Sequence, residues 1–282
     1  MKKLFVVGLV MFLGGVGAFA ILLQMVNKND FKNAKNYLNK YSNLSEEDAV
    51  DFGFDEKFTF TNAQELKLDV VFGDIEISES KDNDLHVTLN SRIHKDLKPF
   101  DHKKIVYQEG NQVHINLMDL FNDKNSTNNF IKVNDQSITI SNALRLKISI
   151  PHNYKVFKIE TISADYVIKN ISLDQLHINN VSGDFKLDQV KALTAKINTV
   201  SGDLEFNGLQ FENVKLDTVS GDAVFRFKSP ADLAAEITSV SGDLEGDSYF
   251  EKHISEGKLK LGEPKHKISI NSVSGDVEFL KQ

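Results

Sequence analysis

The tetrapeptide Val-Ser-Gly-Asp occurs five times in the second half of this 282-residue chain, beginning at Val181, Val200, Val219, Val240 and Val273. The first three copies start 19 residues apart, the fourth follows after 21 and the fifth after 33. A period of this length marks a repeat architecture and limits the fold more than any single residue does. A degenerate copy, Thr161–Asp165 (TISAD), extends the series one period earlier, with Ile162 in the place of Val.

Aligned on that Val, the copies agree well beyond the tetrapeptide. Three positions earlier stand Ile159, Ile178, Ile197, Leu216, Ile237 and Ile270, and five earlier Phe157, Leu176, Ala195, Val214, Ala235 and Ile268. After the motif come pairs such as Phe185 and Leu187, or Leu204 and Phe206. The period within each arm is two, the mark of a strand. Each repeat reads as strand, Ser-Gly-Asp corner, strand, return. Gly reaches positive φ at little cost, and Ser and Asp side chains bond nearby amides, so the corner follows from residue chemistry.

Nineteen residues are too few for a βαβ unit. A meander of hairpins has no need of the same residue type every 19 positions, whereas stacked coils do. The sequence therefore predicts an all-β fold, a parallel β-solenoid of coils of about 19 residues. Its corners are Ser182, Gly183 and Asp184; Ser201, Gly202 and Asp203; Ser220, Gly221 and Asp222; Ser241, Gly242 and Asp243; and Ser274, Gly275 and Asp276. These residues are read as structural.

The position before each Val holds Thr161, Asn180, Thr199, Thr218, Ser239 or Ser272, which in stacked coils would form a hydrogen-bonded ladder. Strict alternation cannot place both this column and the Val column inside, so a bulge or corner lies between them. Which of the two faces inward is left open.

Leu4 to Val26 carries no charge in 23 residues and follows Lys2 and Lys3. At about 1.5 Å per residue a helix of that length spans roughly 35 Å, enough for a bilayer core of about 30 Å. The rival reading is a signal peptide cut near Ala18–Ala20, but the apolar run continues past that point. The expectation is a single-pass anchor over 1–26 with a cytoplasmic N-terminus and the bulk of the chain outside the membrane. Residues 27–57 read as a juxtamembrane spacer, with a short amphipathic stripe at Phe31, Ala34, Leu38 and Tyr41, and 58–282 as the repeat domain. Within 58–150, Leu66 to Ile77 has the same strand-corner-strand shape, and 85–89, 112–117, 137–140 and 144–151 are further strands. Asp119–Phe130 is loop-like, and the 33-residue gap before the last corner reads as an added strand turn, with the final coil closing the stack.

These features resemble the bacterial putative-adhesin domain family, a β-strand repeat domain of unknown function. The resemblance rests on VVFGDIEI (70–77), LKISIP (146–151), the serial Val-Ser-Gly-Asp corners and SEGKLKL (255–261), and covers about Phe58 to Leu280. It implies an envelope location, with a link to envelope stress in proteins of the LiaX type, and it implies no catalytic residue.

A formal charge of −7 argues against nucleic acid and anionic lipid as partners. The absence of Cys excludes disulfides, thiolate metal sites and thiol chemistry. The corner Asp residues would form a column, but their spacing differs from that of the calcium-binding nonapeptide rolls, so no metal and no cofactor is assigned. The eight His are scattered, and no carboxylate pair is singled out for glycosidic chemistry, although a β-helix carbohydrate-active enzyme is a third reading. The leading expectation is a non-catalytic scaffold that binds an envelope protein, peptide or glycan. The alternative is a homo-oligomer stacked through its solenoid ends, which the lack of a capping helix after Phe279 favours.

Overall fold

The computed structural model describes residues 49–94, 104–117, 132–133, 136–137, 144–228 and 232–282. The apolar run Leu4–Val26, the spacer as far as residue 48 and the loop-like Asp119–Phe130 lie outside them. No helix among the described residues is long and apolar enough to cross a membrane.

The first part of the fold comprises β1 (Ala49–Phe58), β2 (Glu65–Glu79), β3 (Leu85–His94), β4 (Val106–Glu109), β5 (Gln112–Asn116), β6 (Lys132–Val133), β7 (Gln136–Ser137), β8 (Arg145–Ile150) and β9 (Val156–Lys169). The repeats supply β10 (Ser172–Asn179), β11 (Phe185–Asp188), β12 (Lys191–Asn198), β13 (Leu204–Asn207), β14 (Gln210–Asp217), β15 (Ala223–Phe227), β16 (Leu233–Ser241) and β17 (Leu244–Gly246). A hairpin, β18 (Ile254–Ser255) and β19 (Lys258–Leu261), precedes the last coil, β20 (His266–Ser274) and β21 (Val277–Lys281). The sheet thus begins at Ala49, inside the stretch read from sequence as spacer.

Among the described residues nineteen strands form one continuous sheet, because β2 and β9 are long enough to run through a corner and belong to both of its faces. On the first face β2, β9, β10, β12 and β14 pair in parallel, with Leu68, Ile159, Ile178, Ile197 and Leu216 in one register. On the second face β2, β9, β11, β13 and β15 do the same, with Ile77, Ile168, Leu187, Phe206 and Phe225 aligned. The 19-residue sequence period is therefore one coil of a solenoid-like stack. Inward residues of both faces meet in a single core, and each inner coil sinks four to six large apolar side chains, worth roughly 1.5–3 kcal/mol apiece.

The stack departs from the sequence expectation in two ways. First, it is mixed rather than wholly parallel: β1–β3, β3–β8, β4–β5, β16–β19 and β18–β19 are antiparallel. Second, the last coil does not close the stack. β20 pairs with both β14 and β16, and β21 with both β15 and β17, so the fifth corner lies between the third and the fourth. Ring packing accounts for this order. Phe279 stacks on Phe225 at 5.1 Å, continuing the Phe206–Phe225 stack at 4.3 Å, whereas the fourth coil has Gly246 at that position and would leave a void there.

Thr161, Asn180, Thr199, Thr218 and Ser272 are buried, while Val181, Val200, Val219 and Val273 are half-buried and Val240 is exposed. The small polar column faces inward. It does not form the continuous ladder expected of it, apart from Thr161 Oγ1 donating to Asn180 Oδ1 at 2.9 Å. Instead Asn180, Thr199, Thr218 and Ser272 each reach a carbonyl of their own corner, as Thr199 Oγ1 does to Ser201 O and Thr218 Oγ1 to Ser220 O, both at 3.2 Å.

Candidate functional site

Each corner is held by its Asp. The Asp184 N–H donates to Asp165 Oδ1 at 2.8 Å, Asp203 to Asp184 at 2.8 Å, and Asp222 to Asp203 at 3.0 Å. The series continues from Asp276 to Asp222 at 2.8 Å and from Asp243 to Asp276 at 3.0 Å, in the order of the stack rather than of the chain. One carboxylate oxygen of each of Asp165, Asp184, Asp203, Asp222 and Asp276 is thereby taken up by the next coil. Gly202 has φ +125° and Gly221 φ +109°, and the backbones at these positions approach so closely that a Cβ would overlap the neighbouring coil's carbonyl oxygen.

This column forms one edge of a concave trough of about 1150 Å³ on the outer side of the second face. Thr88 and Asn90 of β3 line the same trough as Asp222 and, on β15, Val224 and Arg226, although five strands lie between β3 and β15. At about 4.8 Å per strand the trough runs for roughly 29 Å across the sheet. Strand alternation turns Glu76, Lys169, Lys186, Glu205 and Arg226 outward into it.

These charges are paired along the stack. Lys186 Nζ lies 2.9 Å from Glu205 Oε2, Arg226 donates to Glu205 Oε1 at 2.6 Å, and Lys169 pairs with Glu76. The lysines hold both carboxyls below the usual glutamate range, Lys169 acting chiefly on Glu76 and Lys186 on Glu205. The trough is a pre-ordered row of mixed charges around exposed Val167. Thr88 Oγ1 donates to Asp55 Oδ1 at 2.9 Å, and among the described residues no group of three or more His, Asp or Glu converges to hold a metal ion.

Sequence reasoning placed the corner Asp residues but missed the trough charges. Their signal was present: Lys186 and Glu205 fall two positions after their corner Asp, and Lys169 and Arg226 four after. Reading those columns across coils, rather than along strands, pairs them. Outside the trough, on the first face, Asp69 is buried, with Lys67 Nζ 3.1 Å from its Oδ1 and 3.2 Å from Glu160 Oε2. Burial pushes the Asp69 carboxyl up to about 6, with Lys67 opposing the rise and Glu160 adding to it.

Fold and trough together define an all-β repeat module that displays one long polar surface. The chain belongs to the Toastrack DUF4097 family, which it matches over residues 63–226 and again over 156–279. No curated protein matches it. Among solved structures it is similar to a putative cell adhesion protein from Clostridium sporogenes, at 15% identity and a TM-score of 0.43 over 82% of this chain and 100% of that one. It is also similar to a putative adhesin from Bacteroides fragilis, at 14% identity and a TM-score of 0.45 over 80% of this chain and 97% of that one. A third, called a putative lipid binding protein, from Parabacteroides distasonis, matches at 12% identity and a TM-score of 0.29 over 80% and 96%.

Proposed function

We propose that the protein is a non-catalytic binding module of the bacterial envelope, anchored through Leu4–Val26 with its β domain outside the membrane, and that the trough is its binding surface. The observation that carries the reading is the roughly 29 Å row of charges fixed by ion pairs on a rigid stack. Such a surface suits an extended polar chain, a glycan or a peptide, laid across the strands. It offers many weak, directed contacts and no activated group. The uncharged run after Lys2 and Lys3 supports the anchor and its orientation.

The test uses the full chain, purified in detergent and immobilised, against envelope glycan and envelope peptide fractions. The parent should retain one of them, and Lys186→Glu combined with Arg226→Glu should lose it, because the row then carries like charges side by side. Retention of neither fraction, or equal retention by the double variant, would remove the trough from consideration. Protease added to intact cells tests the topology: full protection of the β domain would refute it.

A further inference from the structure

The end of the stack formed by β16 and β17 is covered on both flanks and open between them. β19 pairs with Leu233–Glu236 of β16, and buried Phe250 packs beside Gly246 and against Phe279. The Ile237 N–H donates to the Gly257 carbonyl at 2.9 Å, and from Thr238 to Glu245, which includes the fourth corner, no described strand lies above the coil. The Ile column, closed in the inner coils, opens here, and the half-buried Val column becomes exposed. Ile178, Ile197, Leu216 and Ile270 are at most 1% exposed, Ile237 is half-buried, and Val240 is 58% exposed. Ser239 Oγ is buried without a hydrogen-bond partner.

The inner coils show what such a corner receives. The N–H before each Val donates to the coil above, as Thr199 does to Asp217 O at 3.0 Å, and the Val carbonyl accepts the Ser N–H above, as Val200 does from Ser220 at 2.9 Å. The Asp carboxylate accepts the Asp N–H above, and the residue after it donates to that Asp's carbonyl, as Leu204 does to Asp222 O at 2.8 Å. On the last coil of the stack the same four groups are the Ser239 N–H, the Val240 carbonyl, the Asp243 carboxylate and the Leu244 N–H. No described group meets any of the four, and the corner itself is more extended than the inner ones, since Gly242 lacks the positive φ of Gly183, Gly202, Gly221 and Gly275.

We propose that this corner is an interaction surface that takes a strand–corner segment of a partner polypeptide as one more parallel rung. The segment carries a small polar residue, an apolar residue, then Ser-Gly-Asp. Glycine is required because its backbone must lie on the Gly242 carbonyl as Gly202 lies on that of Gly183. A folded second copy does not supply such a rung. Every inner corner is already stacked on both sides, and at the far end of the stack the Asp74 N–H is taken by the Leu144 carbonyl at 2.9 Å. This face is distinct from the trough, so either reading can fail without the other.

The test measures fluorescence anisotropy of a labelled peptide of residues 192–206 with the full chain in detergent. The peptide should bind saturably, and Asp243→Ala, which removes an acceptor that no described group uses, should weaken it about tenfold or more at an unchanged melting temperature. A peptide bearing Gly202→Val should not bind. No saturation by about 1 mM, or equal binding by Asp243→Ala or by the Gly202→Val peptide, overturns the proposal. A parent that sediments as a dimer and becomes a monomer on Val240→Asp gives the face to a second copy and overturns it as well.

Discussion

Replacing Gly202 by Ala tests the stacking of the corners at its tightest point. Two costs add. An L residue at φ +125° is strained by about 1–3 kcal/mol. The new Cβ would also overlap the Gly183 carbonyl oxygen and stand 2.7 Å from its carbonyl carbon, so the two coils must separate. Separation lengthens the Asp203 to Asp184 bond of 2.8 Å and the Ser201 to Val181 bond of 3.0 Å, each worth about 1 kcal/mol. The total is about 3–5 kcal/mol, and at about 2–4 °C per kcal/mol for a domain of this size the melting temperature should fall by roughly 6–20 °C. Gly110 supplies the control. It has φ +63° with nothing within 4 Å of an added Cβ, so Gly110→Ala carries the conformational cost alone, about 1–2 kcal/mol or roughly 2–8 °C. Thermal melts of the two variants and the parent by far-ultraviolet circular dichroism measure the difference. A Gly202→Ala protein that melts no lower than Gly110→Ala would show that the corners are not in backbone contact.

Asp203→Ala should cost about 1 kcal/mol, because the Asp222 N–H loses its acceptor, whereas Asp243→Ala at the end of the column should leave the melting temperature unchanged. Equal losses would mean that the hydrogen-bonded column is not the source of the effect. Asp69 sets a pH dependence. Its folded pKa of about 6 lies above the ordinary 3.8, so the protein is favoured below pH 4 and loses up to about 3 kcal/mol as pH rises through 6. Asp69→Asn should match the parent near pH 4 and melt higher at pH 8; a gap independent of pH would reject burial of the carboxyl as its cause.

The repeat was legible because its sequence period equals its spatial one. Once Ile178, Ile197 and Leu216 align at 19 residues, the parallel register of β10, β12 and β14 follows. The inward choice between Thr199 and Val200 was not legible, since both fit a core edge and the decision lies in where the backbone bends. Nor was the order of the last two coils. Ile237 and Ile270, Ser239 and Ser272, and Asp243 and Asp276 are near-equivalent, and only the contrast between Gly246 and Phe279 separates them. The antiparallel β1, β3 and β8 have no repeat to betray their partners. The trough depends on the curl of the whole sheet, which no local pattern encodes.

The insertion of β20 and β21 beneath β16 and β17 bears on how the chain is made. The slot above β14 and β15 is complete once Phe227 has emerged, but its final occupant ends at Lys281. Synthesis proceeds at about 5–20 residues per second, so the 35 residues between Gly246 and Lys281 take roughly 2–7 seconds. Throughout that interval the fourth coil, with matching columns, is the nearest candidate for the slot. A fourth coil seated there would leave a void at Gly246 that the Phe279 ring fills, so that ring favours the final order over the one the chain offers first.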